Sequence, residues 1–289
     1  MQPKFLINGE LGQTISPFDR GFQYGDGLFE TILIQSGCPI FLDAHLDRLQ
    51  KGCDVLGFPA VDTELIINEL MMLVNGFQHG VLKIVLSRGV GERGFLPSDS
   101  PTVTRVISFS PSNVAVNRTL TSMALIQCET RLSKQPLLAG IKHLNQLERI
   151  LARRELGHNS GVEGLMLDTD GKVIEGTMSN LFMVKNDVLM TPKLDNSGVL
   201  GVIRCFLIQR AKQDGIDCRE LELTLDDIKN ADEIFMTNSL LPVSAINSIN
   251  INININASRS PAKLGAYAKW ALDCVLEDTQ RQIEYDRCQ

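Results

Sequence analysis

Thirty-four acidic against 28 basic side chains give the 289-residue sequence a net charge of −6, and 44% of its residues are hydrophobic, the make-up of a soluble globular protein of one large or two medium domains. That balance, with no extended Lys/Arg cluster, argues against a nucleic-acid partner, and no window approaches the roughly 18 apolar residues of a membrane span. With no signal-peptide stretch and seven scattered cysteines lacking any CxxC or Cys/His pairing, reduced thiols, no metal site and a cytoplasmic location are expected.

In chain order, "KFLING" and "FETILIQSGCPIF" read as β-structure, the latter a hairpin around Ser36-Gly37. Asp43 is placed to cap a helix with apolar positions Leu46, Leu49, Cys53 and Leu56, and Thr63 opens a second helix to about Val74. "GVLKIVLSRG" and "TVTRVISFS" are strands separated by a glycine-rich loop (88–97), expected to be mobile. "SPSNVAVN" has linker composition, which puts a first domain at 1–111, a linker at 112–117 and a second domain at 118–289.

The second part opens with the strand "TSMALIQC" and reaches "GIKHLNQLERI" (140–150), where Leu144, Leu147, Leu151 and Arg154 recur at helical spacing toward Gly157. A meander comes next: "EGLMLD", the turn "TDG", "KVIEGTMSNLFMVK", a turn at Asn186-Asp187, and "VLMTP". "GVIRCFLIQRAKQDG" (201–215) is a helix ended by Gly215, "ADEIFMTNS" is a strand, and a last helix covers about Pro261–Glu277. Antiparallel strands with interspersed helices predict the α+β class rather than a doubly wound parallel sheet. The Ile/Asn alternation of "SININININAS" (248–258) reads as a strand with one apolar and one amide face, an edge strand or a repeat-slippage insertion rather than a functional amide ladder.

Position alone makes Lys142 a solvated charge, and Arg48 a charge on a wet helix face. Residues further along the chain give Lys142 another meaning. Glu175 ends a strand 33 residues on, Gly201 fronts a helix whose free N–H groups suit a phosphate, and Thr237-Asn238-Ser239 ends another strand with polar donors. An amine, a carboxylate and a phosphate cradle are the parts that a pyridoxal phosphate enzyme needs.

The run E-G-T-M-S-N-L-F … L-M-T … V-L-G-V-I-R, from Glu175 to Arg204, resembles the signature of fold-type IV pyridoxal phosphate enzymes. That group holds branched-chain aminotransferases, D-amino acid transaminases and 4-amino-4-deoxychorismate lyases. "SPFDRGFQYGDGLFETI" (16–32) and "LDAHLDRL" (42–49) are similar to its N-terminal domain, so the likeness runs to about residue 245. The resemblance implies a two-domain fold like that of D-amino acid aminotransferases, with pyridoxal 5′-phosphate between the domains and a homodimeric assembly. By position it implies that Lys142 carries the cofactor, that Glu175 partners its pyridine nitrogen, and that Arg48 meets its phosphate. Val202 and Ile203 match backbone phosphate donors, Asn238 and Ser239 further phosphate contacts, and Val199 the residue packed beneath the ring.

Within the family, "AGIKHLNQLER" is very similar to the lysine segment of the lyases, where histidine follows the lysine. The D-amino acid transaminases carry an Arg-x-His carboxylate trap; the corresponding residues here are Arg93-Gly94-Phe95. The resemblance therefore implies a lyase converting 4-amino-4-deoxychorismate to 4-aminobenzoate and pyruvate for folate synthesis, with a class IV aminotransferase of D-amino or branched-chain amino acids as the alternative. Substrate contacts are expected from Arg93, Arg88 and His143, and from the segment 22–32 with its Tyr24-Gly25 and Thr31-Ile32 pairs.

Overall fold

Alternation sets the first sheet. Along Gly27–Gln35, Leu28, Glu30, Ile32 and Ile34 are buried while Phe29 and Thr31 are only half-buried, the period of two that a strand imposes. The computed structural model describes residues 4–116, 118–159, 161–251, 258–259 and 265–286. Its two compact units comprise 1–116 with 141–145 and 279–289, and 117–140 with 146–278.

The first unit is built on β1 (Lys4–Ile7), β2 (Glu10–Leu11), α1 (Arg20–Tyr24), β3 (Gly27–Gln35), β4 (Cys38–Pro39), α2 (Leu42–Leu56), α3 (Thr63–Val74), β5 (His79–Ser87) and β6 (Thr104–Pro111). Its strands form one antiparallel sheet in the order β2-β1-β6-β5-β3-β4. Ser36 and Gly37, at φ 54° and 81°, make the two-residue turn expected between β3 and β4. The entry to α2 differs from expectation. Phe41 occupies the N-cap position at φ 57° with no side-chain cap, and Asp43 lies inside the first turn. There its charge complements the positive end of the helix rather than closing it.

Lys142 was expected in the second domain, yet the segment 141–145 packs with the first unit. The Phe29 N–H donates to the Lys142 carbonyl (3.0 Å) and the Leu144 N–H to the Gly27 carbonyl (2.9 Å), with Leu28 bridged antiparallel to His143. Two glycines admit the segment. A methyl group on Gly25 (φ +67°) would lie 2.6 Å from Asn145 Oδ1, and one on Gly27 2.3 Å from the Leu86 carbonyl oxygen and 2.7 Å from Leu144 Cδ1. The Asn145 amide Nδ2 in turn donates to the Gly25 carbonyl (3.0 Å).

The second unit holds β7 (Thr121–Leu132), α4 (Leu147–Leu156), β8 (Val162–Asp168), β9 (Val173–Gly176), β10 (Asn180–Lys185), β11 (Val188–Pro192), α5 (Val202–Gln213), β12 (Cys218–Leu221), α6 (Leu225–Lys229), β13 (Glu233–Thr237), β14 (Ser244–Asn250), β15 (Ser258–Arg259) and the start of α7 (Ala266–Asp286). Its sheet runs β12-β11-β10-β13-β14-β7-β8-β9, with β15 on β14 and parallel pairs at β11–β12, β14–β7 and β7–β8. The expected meander is split. The stretch 177–179 breaks it into β9, paired with β8, and β10, paired with β11 and β13.

The cause of the break is Glu163, 3% exposed, whose carboxylate accepts from the Thr177 N–H (3.0 Å), the Thr177 hydroxyl (2.5 Å) and the Ser179 hydroxyl (2.7 Å). One core layer joins Leu125, Leu165, Leu181, Met183, Ile234, Met236 and Ile246, each removal of such a side chain from water being worth about 1.5–3 kcal/mol. In α4 the buried positions are Ala152 and Leu156, whereas Leu147 and Leu151 point to solvent, so the expected apolar stripe does not face this unit's core. The last helix extends to Asp286, beyond the expected Glu277. In the Ile/Asn run, Ser248–Asn250 belong to β14 and Ile251 is buried; 252–257 lie outside the described residues.

Gly25→Ala is expected to destabilise the protein by about 1–3 kcal/mol through overpacking and backbone strain. Faster amide exchange at Leu144 and a lower Tm are the readouts; unchanged exchange at Leu144 would refute the seating of this segment.

Candidate active site

In the first unit the alternation of β3 sends Glu30 and Phe29 to opposite faces. Glu30, fully buried, meets α2: Arg48 Nε donates to its Oε1 (2.8 Å), Arg48 Nη2 to its Oε2 (2.5 Å), and His45 Nδ1 lies 2.6 Å from the same Oε2. His45 and Arg48, three residues apart, share one helix face. Burial pulls Glu30 upward, but the charge and hydrogen bonds of Arg48 and His45 outweigh it and hold the carboxyl at about 2. Burial pushes His45 below the ordinary imidazole range against the pull of Glu30, so a neutral ring donates through Nδ1–H. The Lys142 Nζ stands 4.4 Å from the centre of the Phe29 ring and its charge adds to the lowering of His45, while the Lys83 Nζ stands 5.2 Å from the same ring.

In the second unit Glu175 is 3% exposed at the end of β9. Arg149 of α4 donates to its Oε1. Asn180 Nδ2 (3.1 Å) and the Val199 N–H (3.0 Å) donate to its Oε2. Asn180 also donates to the Val199 carbonyl (2.9 Å), which fixes Val199 on both sides. Gly198, at φ +91°, turns the chain here, since a methyl group would meet Leu194 and Ile174 within 2.9 Å. Gly201 is the N-cap of α5 and offers no side-chain cap, so the N–H groups of Val202 and Ile203 open the helix. A methyl group on Gly201 would lie 1.9 Å from Asn180 Oδ1, which couples the helix start to the carboxylate. Asn238, just past β13, folds its Oδ1 back onto the N–H groups of Leu240 (2.9 Å) and Leu241 (2.7 Å).

The structure separates the expected substrate residues. Arg93 is exposed on the loop after β5. Arg88 is not available for a substrate: 6% exposed, its guanidinium donates to Asp26 (2.8 Å) and to the carbonyls of Leu56 (2.8 Å) and Gly57 (3.2 Å) and covers the Phe58 ring. A buried guanidinium must spend its donors on protein acceptors, and Arg88 finds three. His143 accepts the Asn145 N–H at Nδ1 (3.2 Å) and so shapes the turn after Lys142. Tyr24 accepts the Gly94 N–H at its hydroxyl (3.4 Å), and Thr31 pairs with Lys83 across β3 and β5. Sequence reasoning missed Glu30, Arg149, Asn180 and Lys83. The i, i+3 spacing of His45 and Arg48 opposite an acid in a strand was the available signal for Glu30; the others need the sheet register.

A family model described as amino-transferase class IV matches residues 27–249. The chain belongs to the class IV aminotransferase family. It is 38% identical over 249 residues to an aminodeoxychorismate lyase of Vibrio harveyi, covering 85% of this chain and 91% of that protein. A putative branched-chain-amino-acid aminotransferase of Methanocaldococcus jannaschii is 34% identical over 256 residues, 86% of this chain and 88% of the relative. The crystal structure of 4-amino-4-deoxychorismate lyase from Pseudomonas aeruginosa superposes with a TM-score of 0.86 at 36% identity, covering 95% of this chain and 98% of the other.

The cofactor of class IV aminotransferases is pyridoxal 5′-phosphate, and the donor set present fits it. A buried carboxylate held by three donors, a helix opened by a bare glycine, and the Ser197 and Thr237 hydroxyls, buried without a partner among the described residues, are polar groups suited to a ligand.

Gly201→Ala is expected to displace Asn180 at a cost of about 1–3 kcal/mol, about 10- to 100-fold in pyridoxal phosphate affinity by titration; wild-type affinity would contradict the coupling. Glu30→Gln leaves Arg48 buried without its counter-charge and is expected to cost about 3–5 kcal/mol near neutral pH in urea unfolding. Because the folded pKa of Glu30 is depressed, its contribution is present above its unfolded value and fades as pH falls toward about 2. The gap between wild type and variant should therefore close in acid, and a gap that widens there would refute the assignment.

Proposed function

We propose that this chain is an aminodeoxychorismate lyase, taking 4-amino-4-deoxychorismate to 4-aminobenzoate and pyruvate for folate synthesis. The observation that carries the reading is the segment Lys142-His143-Leu144-Asn145, the stretch most like the lyases, seated on β3 with its lysine above Phe29. Relatives and a solved structure bearing the lyase name, matched over most of both chains, support it.

Bound pyridoxal phosphate supplies an electron sink for the carbon that bears the amine. Arg48, the opening N–H groups of α5, Asn238 and Ser239 would bind its phosphate, Glu175 would meet its pyridine nitrogen, and Val199 would pack beneath the ring. Lys142 Nζ would carry the cofactor and would be the base for the proton on the amine-bearing ring carbon of the substrate. Loss of the enolpyruvyl group then makes the ring aromatic, so the protein has chiefly to position the substrate and provide the base. Arg93, with the exposed Lys83 on the Phe29 face, answers the two substrate carboxylates.

The reading extends to a homodimer in the cytoplasm. Exposed Leu147, Ile150 and Leu151 on α4, and Phe22, Phe95 and Leu96 in the first unit, are apolar surface that a partner would cover. No helix among the described residues is long and apolar enough to cross a membrane. Aminotransfer is the second reading, favoured by the 34% identical putative aminotransferase.

Pyruvate and 4-aminobenzoate formation from aminodeoxychorismate decides between them. The lyase reading fails when neither product forms, and the aminotransferase reading gains when D-alanine or a branched-chain amino acid alone converts the cofactor to its amine form. Lys142→Ala should keep the fold by circular dichroism, give no borohydride-reducible cofactor adduct, and lose at least about 10³-fold in turnover. Full activity in that variant would remove Lys142 from its role.

A further inference from the structure

The loop that joins β5 to β6 carries Arg93, and its glycines suggest mobility. Instead, its root and its tip are both tied to one carboxylate. Asp26 Oδ2 accepts from Arg88 Nε at the root (2.8 Å) and from Arg20 Nε (2.8 Å). Arg20 then reaches across to the tip. Its Nη1 donates to the Gly94 carbonyl and its Nη2 to the Phe95 carbonyl, both at 2.8 Å. Arg20 is 4% exposed, so its guanidinium must spend its donors on protein acceptors, and losing one is costly, although Gly94 and Phe95 themselves are exposed.

The loop's glycines are shaped to this arginine. A methyl group on Gly91 would lie 2.8 Å from Arg20 Cδ, so the bare residue makes the channel through which the side chain passes. Gly94, at φ +115°, adopts a backbone conformation that L side chains rarely take and presents the carbonyl that Arg20 binds. Tyr24 completes the clamp, with its ring 5.0 Å from the Arg20 guanidinium and 5.5 Å from the Phe95 ring. Arg93 directly precedes the two clamped carbonyls. Lysine cannot replace the fork, because one ammonium cannot hold a carboxylate and two carbonyls in fixed directions.

We propose that Arg20 is a positioning residue for substrate recognition: by holding the Gly94 and Phe95 carbonyls it fixes the place from which Arg93 meets a substrate carboxylate. The inference rests on the lyase reading for the identity of that substrate. Arg20 gives its donors to Asp26 and the two loop carbonyls, so it acts through Arg93. A purely structural role would lower stability without a selective change in KM, whereas a positioning role raises KM and leaves cofactor binding and kcat nearly unchanged.

The test compares Arg20→Lys, Gly91→Ala, Arg93→Gln and the double variant Arg20→Lys/Arg93→Gln as holoenzymes. Gly91→Ala perturbs the same clamp while leaving Arg20 in the chain, so a folding failure of one variant leaves the other decisive. Trypsin cleavage after Arg93, followed by mass spectrometry, should quicken about 10-fold in Arg20→Lys and Gly91→Ala as the tip is released. KM for aminodeoxychorismate should rise about 10- to 100-fold in both, with kcat and pyridoxal phosphate affinity within a few-fold of wild type. The double variant should be no worse than Arg93→Gln alone, since the two changes remove one interaction. Unchanged cleavage, unchanged KM despite faster cleavage, or fully additive effects in the double variant would each overturn the inference. A wild-type enzyme that releases no pyruvate overturns the lyase reading instead, and the cleavage arm still decides whether Arg20 holds the tip.

Discussion

The two-residue period of β3 is the constraint on which the first unit's polar cluster depends. Its odd and even positions cannot exchange faces without turning Leu28, Ile32 and Ile34 out of the core. That same parity carries Glu30 inward, onto His45 and Arg48, and Phe29 to the face over which Lys142 Nζ stands. The hydrophobic register of one strand thus sets the surroundings of both the proposed phosphate-binding arginine and the proposed cofactor-bearing lysine, whose charge also reaches His45.

The second unit uses buried acids in place of register. Glu163 collects the donors of 177–179 and thereby ends one strand and starts the next; Glu175, at that break, collects Arg149, Asn180 and the Val199 N–H. Each carboxylate is compensated, which is the condition under which a charge tolerates burial. Their arrangement has a consequence for α5. Asn180 is held by Glu175 and by Val199, and its oxygen lies where any side chain at position 201 would have to go. A bare helix start is therefore the geometric complement of the acid proposed to partner the cofactor ring.

Elements with strong local signals were legible in the sequence: the Ser36-Gly37 hairpin, the helix opened by Gly201, and the strand ending at Thr237. Local signals misled where distant contacts intervene. Asp43 looks like a cap, but the chain turns into α2 through Phe41, whose N–H is taken by Gln282, 241 residues away in sequence. The apolar stripe of α4 is real as a pattern, yet Leu147 and Leu151 face outward while Ala152 and Leu156 fill the core. Arg88 had the residue type of an anion ligand, and only the carbonyls of Leu56 and Gly57 show that its donors are taken.

Glycine content is the clearest case of a signal whose meaning depends on partners far along the chain. Gly91 reads as flexible loop composition and is instead the cast of Arg20, as Gly25 is of Asn145, while Gly27 is closed in by the Leu86 carbonyl and Leu144 together. That explains why Leu-Asn comes after Lys142-His143, since those two side chains key the lysine segment into the glycines of 25–27. His143 belongs to the same device. Its Nδ1 accepts the Asn145 N–H and sets the angle at which Asn145 reaches the Gly25 carbonyl. The histidine after the lysine thus has a part in the turn that seats the segment on β3.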